Sequence, residues 1–437
     1  MSRGPMPTAE LLEALTDKTV LGAVPPALRG LAYDSRKVAP GELFVAIPGF
    51  KQDGRRFIAD ALARGAAAYL TSLPPQGGTA IEVPDTLRAL MALAAAERAQ
   101  FDGPVIGITG SVGKTSTKDM AWAALAASRH TWANERSFNN EQGLPITLLN
   151  TPDGTEVLML EMGMRGFGEI AELCSIARPS IGVITRVGEA HSDRVGGIDG
   201  VARAKAELIE ALPAGGTAIL NADDPRVRAM AASSAAPVVR YGEAADAEVR
   251  VSALVLDELA RASFHLDTPW GACDVRLGAS GRHMANNAAA ALACVGVVGG
   301  DLVAGAAALA DVGLTAMRMD VRRTAAGAIV LNDSYNANPT SMRAALDALA
   351  ALPARRRVAV LGLMAEISDA PFEHVAIAAY ARENGIEVLA YGTELYGITP
   401  VDEPVAALGS LAGGDAVLVK GSRVVGLERV AARLLEE

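Results

Sequence analysis

Residues 107–117 read Gly-Ile-Thr-Gly-Ser-Val-Gly-Lys-Thr-Ser-Thr. They follow the apolar Pro104-Val105-Ile106 and lead into the helix-forming Lys118-Asp-Met-Ala-Trp-Ala-Ala-Leu-Ala. A buried strand that turns through glycines into a helix commits this part of the chain to a βα unit in a sheet. The unpaired N–H groups of the turn and helix start form a nest for phosphate oxygens. The backbone of Gly110, Ser111, Val112 and Gly113 would cradle a nucleotide triphosphate, with Ser116 beside it. Lys114 would neutralise the terminal phosphates, and the Thr115 hydroxyl would ligate Mg²⁺. The common spacing G-x-x-x-x-G-K-[ST] requires a glycine at position 108, which is Ile108. The shorter Gly110-x-x-Gly113-Lys114-Thr115 points away from ordinary kinases and GTPases.

The remaining sequence extends the βα reading. Apolar strand-like runs alternate with helical runs nearly throughout, which predicts an α/β fold with largely parallel sheets. Glu42 to Ile47, Ala67 to Thr71 and Ala80 to Val83 read as strands ahead of a helix over 86–100. Val157 to Leu160, Ile181 to Thr185 and Ala218 to Leu220 each end in polar residues, where parallel sheets place ligands. A further series follows, with strands near 328–331, 358–361, 388–391 and 417–419. Breaks near 84 and 313 therefore divide the chain into segments 1–84, 85–313 and 314–437.

The 437 residues carry 40 basic and 50 acidic side chains, a net charge of −10, with no basic block. Nucleic acids and anionic membranes are poor partners for such a surface. The three cysteines, Cys174, Cys273 and Cys294, are too scattered for a disulfide framework or a metal spacing and are expected as buried thiols. The first residues lack the apolar core of a signal peptide, and no apolar run is long enough to span a bilayer. A cytoplasmic, monomeric protein without membrane insertion is expected.

Several residues stand where chemistry is done. Glu161 closes an apolar strand and, with Thr115, supplies oxygen ligands suited to Mg²⁺. Lys205 lies four residues from both Val201 and Ile209, on the inward stripe of the helix around 200–212. A neutral amine there could take up CO₂ as a carbamate and become a metal ligand. Helical spacing alone favours a lysine whose stem packs while its head reaches solvent. His191, in a strand-end loop, could bind metal or orient a carboxylate. Asn287 could read an adenine edge or simply bond backbone within its helix. Asn338-Pro339 suits a helix start, which leaves Asp333, Ser334, Tyr335 and Asn336 in excess of what capping needs. Lys420 and Arg423 follow a strand and suit an anionic ligand.

Taken together, these motifs resemble the Mur ligases, ATP-dependent amide-forming enzymes. The resemblance covers all three segments. It runs from Asp34-Ser-Arg-Lys-Val through Thr109-Gly-Ser-Val-Gly-Lys-Thr-Ser, Ser137-Phe-Asn-Asn-Glu-Gln-Gly and Glu161-Met-Gly. It ends with Asp333-Ser-Tyr-Asn-Ala-Asn-Pro and Val419-Lys-Gly-Ser-Arg. It implies an N-terminal UDP-sugar-binding domain, a central ATPase domain and a C-terminal Rossmann-like domain. It implies further that Lys114, Asn287, Arg318 and Asp333 contact ATP, and that Thr115 and Glu161 serve one Mg²⁺. A second Mg²⁺ would be supported by His191 and bridged by carbamylated Lys205, so that Lys114, His191, Lys205 and Arg318 are the catalytic set. Ser35, Arg36, Gly49, Asp53, Asn139 and Asn140 would hold the UDP substrate. The partners implied are UDP-MurNAc-tripeptide and D-alanyl-D-alanine. Two positions depart from the family pattern: Met284 stands where relatives have asparagine, and Leu363 replaces a frequent aspartate. Against this reading stand two other ligases of the superfamily, the third-residue-adding Mur enzyme and folylpolyglutamate synthase. A small-molecule kinase and a non-catalytic nucleotide-binding regulator are rivals of other classes.

Overall fold

The computed structural model describes residues 4–49, 53–135, 138–190 and 192–436. His191 therefore lies outside the described residues. The chain forms two compact units. One comprises Met1–Gly107, His130–Met164 and Glu169–Ser180; the other comprises Ile108–Arg129, Arg165–Gly168 and Ile181–Glu437.

In the first unit, Leu31–Ala32, Leu43–Val45, Ala68–Thr71 and Ala80–Glu82 pair in parallel, and Thr19–Leu21 closes the sheet antiparallel to Ala80–Glu82. The central strands carry Phe44, Val45, Tyr69 and Leu70, all fully buried. Two-sided burial of this kind is what a near-continuous apolar run encodes. The helix Thr86–Ala99 starts at Asp85, whose carboxylate accepts the Leu87 and Arg88 N–H groups. The strand Val157–Glu161 pairs in parallel with Thr131–Ala133.

The second unit contains the phosphate-loop helix Lys114–Ala126 and two sheets. In the first sheet Ile181–Ile184, Thr217–Asn221, Val238–Gly242 and the start of Val249–Leu256 run parallel. Val249–Leu256 then continues into an antiparallel meander with Arg261–Thr268 and Gly271–Ser280. The alternating burial of Val249–Leu256 and Arg261–Thr268 is the mark of a sheet with one wet face. Behind this sheet the alanine-rich helix Met284–Val297 is buried almost throughout. Its small side chains let it pack closely on the loop helix.

The second sheet has the order Asp320–Arg323, Ile329–Asn332, Asp415–Lys420, Arg356–Leu361, Glu387–Ala390, all parallel except the first. Asn332 stands opposite Val419, so the residues just beyond, Asp333 and Lys420, emerge side by side at the carboxyl edge. Helix Pro339–Ala351 starts there with Asn338 and Ser341 in a reciprocal capping box and proline at the first turn, as the sequence predicts. Nearby, His374 is fully buried. Its Nδ1 bonds the Ala370 carbonyl at 2.6 Å, its Nε2 accepts the Met364 N–H at 2.9 Å, and the Tyr396 ring packs edge-on at 4.8 Å. Those bonds hold the imidazole neutral, and burial pulls its pKa below the ordinary histidine value. Among the described residues no helix is long and apolar enough to cross a membrane.

Candidate nucleotide site

The glycines of the loop are explained by their neighbours. A Cβ on Gly110 would come within 1.9 Å of the Thr185 hydroxyl, and one on Gly113 would come within 2.7 Å of Asn287 Oδ1. Gly113 also has φ +86° as the residue before the helix, a conformation that favours glycine. The Thr185 hydroxyl donates to the Val112 carbonyl at 2.6 Å, Ser111 N–H donates to Arg186 O at 2.6 Å, and Ser111 Oγ donates to Gly188 O at 2.8 Å. The strand-end segment 184–188 is itself clamped. Asn221 Nδ2 donates to Thr185 O, the buried Tyr241 hydroxyl reaches Ile184 O and Thr185 O, and Asp224 accepts the Val187 N–H. Burial raises the Tyr241 pKa well above its usual value and keeps it a donor. The loop is thus held by hydrogen bonds made by the protein itself.

Lys114 heads the helix and donates to Gly110 O at 2.7 Å. Thr115 and Ser116 are buried behind it. Arg318 Nη2 donates to Thr115 Oγ1 at 3.3 Å, and the guanidinium lies 4.1 Å over the Tyr335 ring. Asp333 accepts the Met319 N–H at 3.1 Å through one oxygen and Lys420 Nζ at 2.5 Å through the other. Lys420 donates also to Asn336 O at 2.8 Å. Burial is the main cause of its lowered pKa; Asp333 opposes that shift and Arg318 adds to it.

Ser111, Gly113, Ser116, Asn287, Arg318 and Asp333 line one pocket, so the structure brings these predicted contacts together. Sequence reading had singled out Asn336, Asn338 and Lys420 without assigning them to the nucleotide, and all three line the pocket. It missed Thr185, Arg186, Asn221 and Asn286, which also line it. The signal was available for the first three, since the runs 181–185 and 218–220 both read as strands ending in polar residues. Met284, the departure from the family pattern, is buried and takes a 3.4 Å contact from Asn287 Nδ2 through its sulfur. A thioether is a weak acceptor, so Asn287 keeps most of its hydrogen-bonding capacity for a ligand. His283 lines the same pocket, with its pKa lowered by burial.

Lys205 falls on the inward stripe of helix Ile198–Glu210 and is 2% exposed, so its head does not reach solvent. No acceptor among the described residues bonds its ammonium. Burial, with Lys114 adding to it, holds its pKa well below the ordinary lysine value.

In the first unit Glu161 ends its strand almost fully buried. Its Oε1 accepts from Asn139 Nδ2 at 2.7 Å, while Oε2 is buried with no partner. Asn140 Oδ1 accepts the Gly143 N–H at 3.0 Å, next to the start of the helix Gly143–Leu149. Ser35 is buried and Arg36 is exposed, its guanidinium folded back on Asp34 at 2.8 Å. Asp53 pairs with Arg55, and Gly49 is exposed. Hydrogen bonding to these arginines lowers the pKa of Asp34 and of Asp53. Among the described residues no cluster of three histidine, cysteine or acidic side chains forms a metal cage. Of the cysteines, Cys174 and Cys294 are buried and Cys273 is half-buried.

Comparison with known proteins fits this geometry. Residues 27–98 match the family described as Mur ligase family, catalytic domain; residues 108–295 match Mur ligase middle domain; residues 317–423 match Mur ligase, glutamate ligase domain. The UDP-N-acetylmuramoyl-tripeptide–D-alanyl-D-alanine ligase of Mycobacterium tuberculosis H37Rv is 39% identical, over 93% of this chain and 92% of its own. The Escherichia coli K12 enzyme of that name is 35% identical, over 94% of each chain. Among solved structures, MurF from Acinetobacter baumannii matches all of both chains with a TM-score of 0.87 at 28% identity. MurF ligase from Thermotoga maritima in complex with ADP matches at 0.83 and 28%, over 93% of this chain and 97% of its own. With a phosphate loop, an Asp333–Lys420 strand-edge pair and near-full-length relatives of one kind, this chain belongs to the Mur ligase family.

Proposed function

We propose that this chain is the ATP-dependent ligase that joins D-alanyl-D-alanine to UDP-MurNAc-tripeptide, giving the pentapeptide precursor of peptidoglycan, ADP and phosphate. The observation that carries the reading is the pocket where the phosphate loop, Arg318 and the residues Asp333, Asn336 and Asn338 meet. The near-full-length relatives carry this activity in their names.

A carboxylate is a poor acylating agent because its leaving group would be oxide. Transfer of the ATP γ-phosphoryl group to the tripeptide's terminal carboxylate makes an acyl phosphate and releases ADP. The dipeptide amine then attacks the acyl carbon, loses a proton and expels phosphate. Such chemistry needs positioning and neutralisation of negative charge more than covalent help. Lys114 and Arg318 bring positive charge to the phosphates, Asn287 faces the base, and the Asp333–Lys420 pair fixes the strand edge that shapes the pocket.

Mg²⁺ fits the residues present. Glu161 Oε2 is a buried, acceptor-only oxygen with no donor, which a hard cation would satisfy. The resemblance assigns Thr115 and Glu161 to one ion, and His191 and the carbamate of Lys205 to a second. Bound there, the ions would neutralise phosphate charge. For Lys205 the support is its burial without an acceptor, which favours the neutral amine, the form that reacts with CO₂. Ser35, Arg36, Gly49, Asp53, Asn139 and Asn140 remain the assigned contacts of the UDP substrate. Segments 1–84, 85–313 and 314–437 would be the UDP-MurNAc-peptide-binding domain, the ATP-binding domain and a Rossmann-like ligase domain. On this reading the enzyme works as a cytoplasmic monomer.

The test is phosphate release with UDP-MurNAc-tripeptides ending in meso-diaminopimelate or L-lysine, with and without D-alanyl-D-alanine. Amine-dependent release and a pentapeptide product by mass are expected; none with either tripeptide would sink the assignment.

A further inference from the structure

The stretch from Val312 to Met319 is neither helix nor strand; it links the turn Leu309–Asp311 to the strand Asp320–Arg323. Arg318 sits within it, flanked by Met317 at φ +63° and Met319 at φ +52°. Left-handed backbone costs a side-chain-bearing residue on the order of 1–2 kcal/mol and persists where the surroundings over-determine it. The surroundings here are specific. Met317 O accepts the Tyr335 N–H at 3.3 Å, Met319 N–H goes to Asp333, and the Arg318 guanidinium stacks on Tyr335.

A further hold comes from the phosphate-loop helix, beside the 2.9 Å contact of Arg423 Nη1 with the Met317 sulfur. Asp119 Oδ2 accepts the Thr315 N–H at 2.7 Å, and its other oxygen lies 3.2 Å from Lys118 Nζ. Thr115, which takes Arg318, is one helical turn earlier and so on the same face. The helix that carries the phosphate loop therefore grips the connector twice, three residues apart, with a left-handed methionine between the grips and another after them.

We propose that Asp119 is a positioning residue for Arg318. By fixing Thr315 it sets where the left-handed turn begins, and the turn then aims the guanidinium at Thr115 and the nucleotide pocket. The inference rests on the reading of Arg318 as an ATP contact.

The experiment uses the full chain with Asp119→Ala, Asp119→Glu and Asp119→Asn, alone and with Arg318→Ala, in the phosphate-release assay. Since a displacement near 1 Å can cost up to ~100-fold in rate, Asp119→Ala and Asp119→Glu are expected to lose roughly tenfold or more in kcat. The KM for D-alanyl-D-alanine should stay near the parent value. Asp119→Asn keeps an oxygen acceptor for Thr315 and should retain most of kcat. Because coupled residues are non-additive, adding Asp119→Ala to Arg318→Ala should cost less than about twofold more. Full multiplication of the two losses would overturn the proposal, as would parent-like kcat in Asp119→Glu. Asp119→Asn falling as far as Asp119→Ala would also overturn it. If Asp119→Ala does not fold, Asp119→Glu, which keeps the charge, decides. Failure of the ATP reading would show separately, as a parent enzyme without amine-dependent turnover.

Discussion

Lys420 and Lys205 are buried to the same degree, 1% and 2% exposed, and both have pKa values lowered mainly by burial. Their surroundings differ. Lys420 is bonded to Asp333 and to the Asn336 carbonyl, and ties together the ends of two neighbouring strands. Lys205 has no acceptor among the described residues, and Lys114 adds repulsion. A buried charge with partners is a strut whose removal strands its counter-charge. A buried amine without partners is a burden on folding, and it is explained only by what happens chemically at that nitrogen.

The largest expected effect concerns activity. Lys205→Met should lower ligation by roughly a hundredfold to a thousandfold, the usual cost of removing one preorganised electrostatic group. Its melting temperature should not fall. Lys205→Ala should regain part of its activity with short carboxylates in phosphate-release assays; full activity without them would erase the distinction between the two lysines. Next, Lys420→Met should cost about 3 kcal/mol in denaturant unfolding, because Asp333 is left without its ion-pair partner. Lys420→Met with Asp333→Leu should be more stable than the single variant. Equal losses in the two lysine variants would break the comparison.

A third prediction extends it to imidazole. His374 is bonded in the neutral form and its pKa is lowered in the folded protein. Below the unfolded value near 6.5 the unfolded chain takes up a proton that the folded chain refuses. Stability is therefore full above that pH and declines beneath it by up to about 1.4 kcal/mol per pH unit for this group. Half-buried His283, its pKa also lowered, acts with the same sign. Melting curves of His374→Gln between pH 5 and 7, a range set by that ~6.5 reference value, should show a shallower slope than the parent. The smallest effect is at a neutral cap: Asn338→Ala removes one half of the capping box and should cost about 1 kcal/mol in denaturant unfolding.

Patterns local in sequence were legible. The strand-loop-helix at 105–126, the strand ends at Glu161 and Asn221, the cap at Asn338 and the inward face of Lys205 follow from periodicity and turn chemistry, and the structure has them. What escaped were pairings fixed by register and close approach. That Asp333 meets Lys420 follows from Asn332 lying opposite Val419, across a crossover of more than eighty residues. Asn286 carries no local signature, and Thr185 only that of a strand end. They line the pocket because strand 181–184 and helix 284–297 converge there. The left-handed methionines around Arg318 were illegible for the opposite reason, since methionine is a residue that local rules assign elsewhere.

The contact between Gly110 and Thr185 has a consequence for how the loop can vary. A glycine there is demanded twice, once by any phosphate that approaches the backbone and once by a threonine on the next strand segment. A selection for folding alone, with nucleotide withheld, would still reject every larger residue at 110. Converting this loop to the longer spacing of ordinary phosphate-binding loops would thus take more than a glycine in place of Ile108, because the strand end at 185 still constrains position 110.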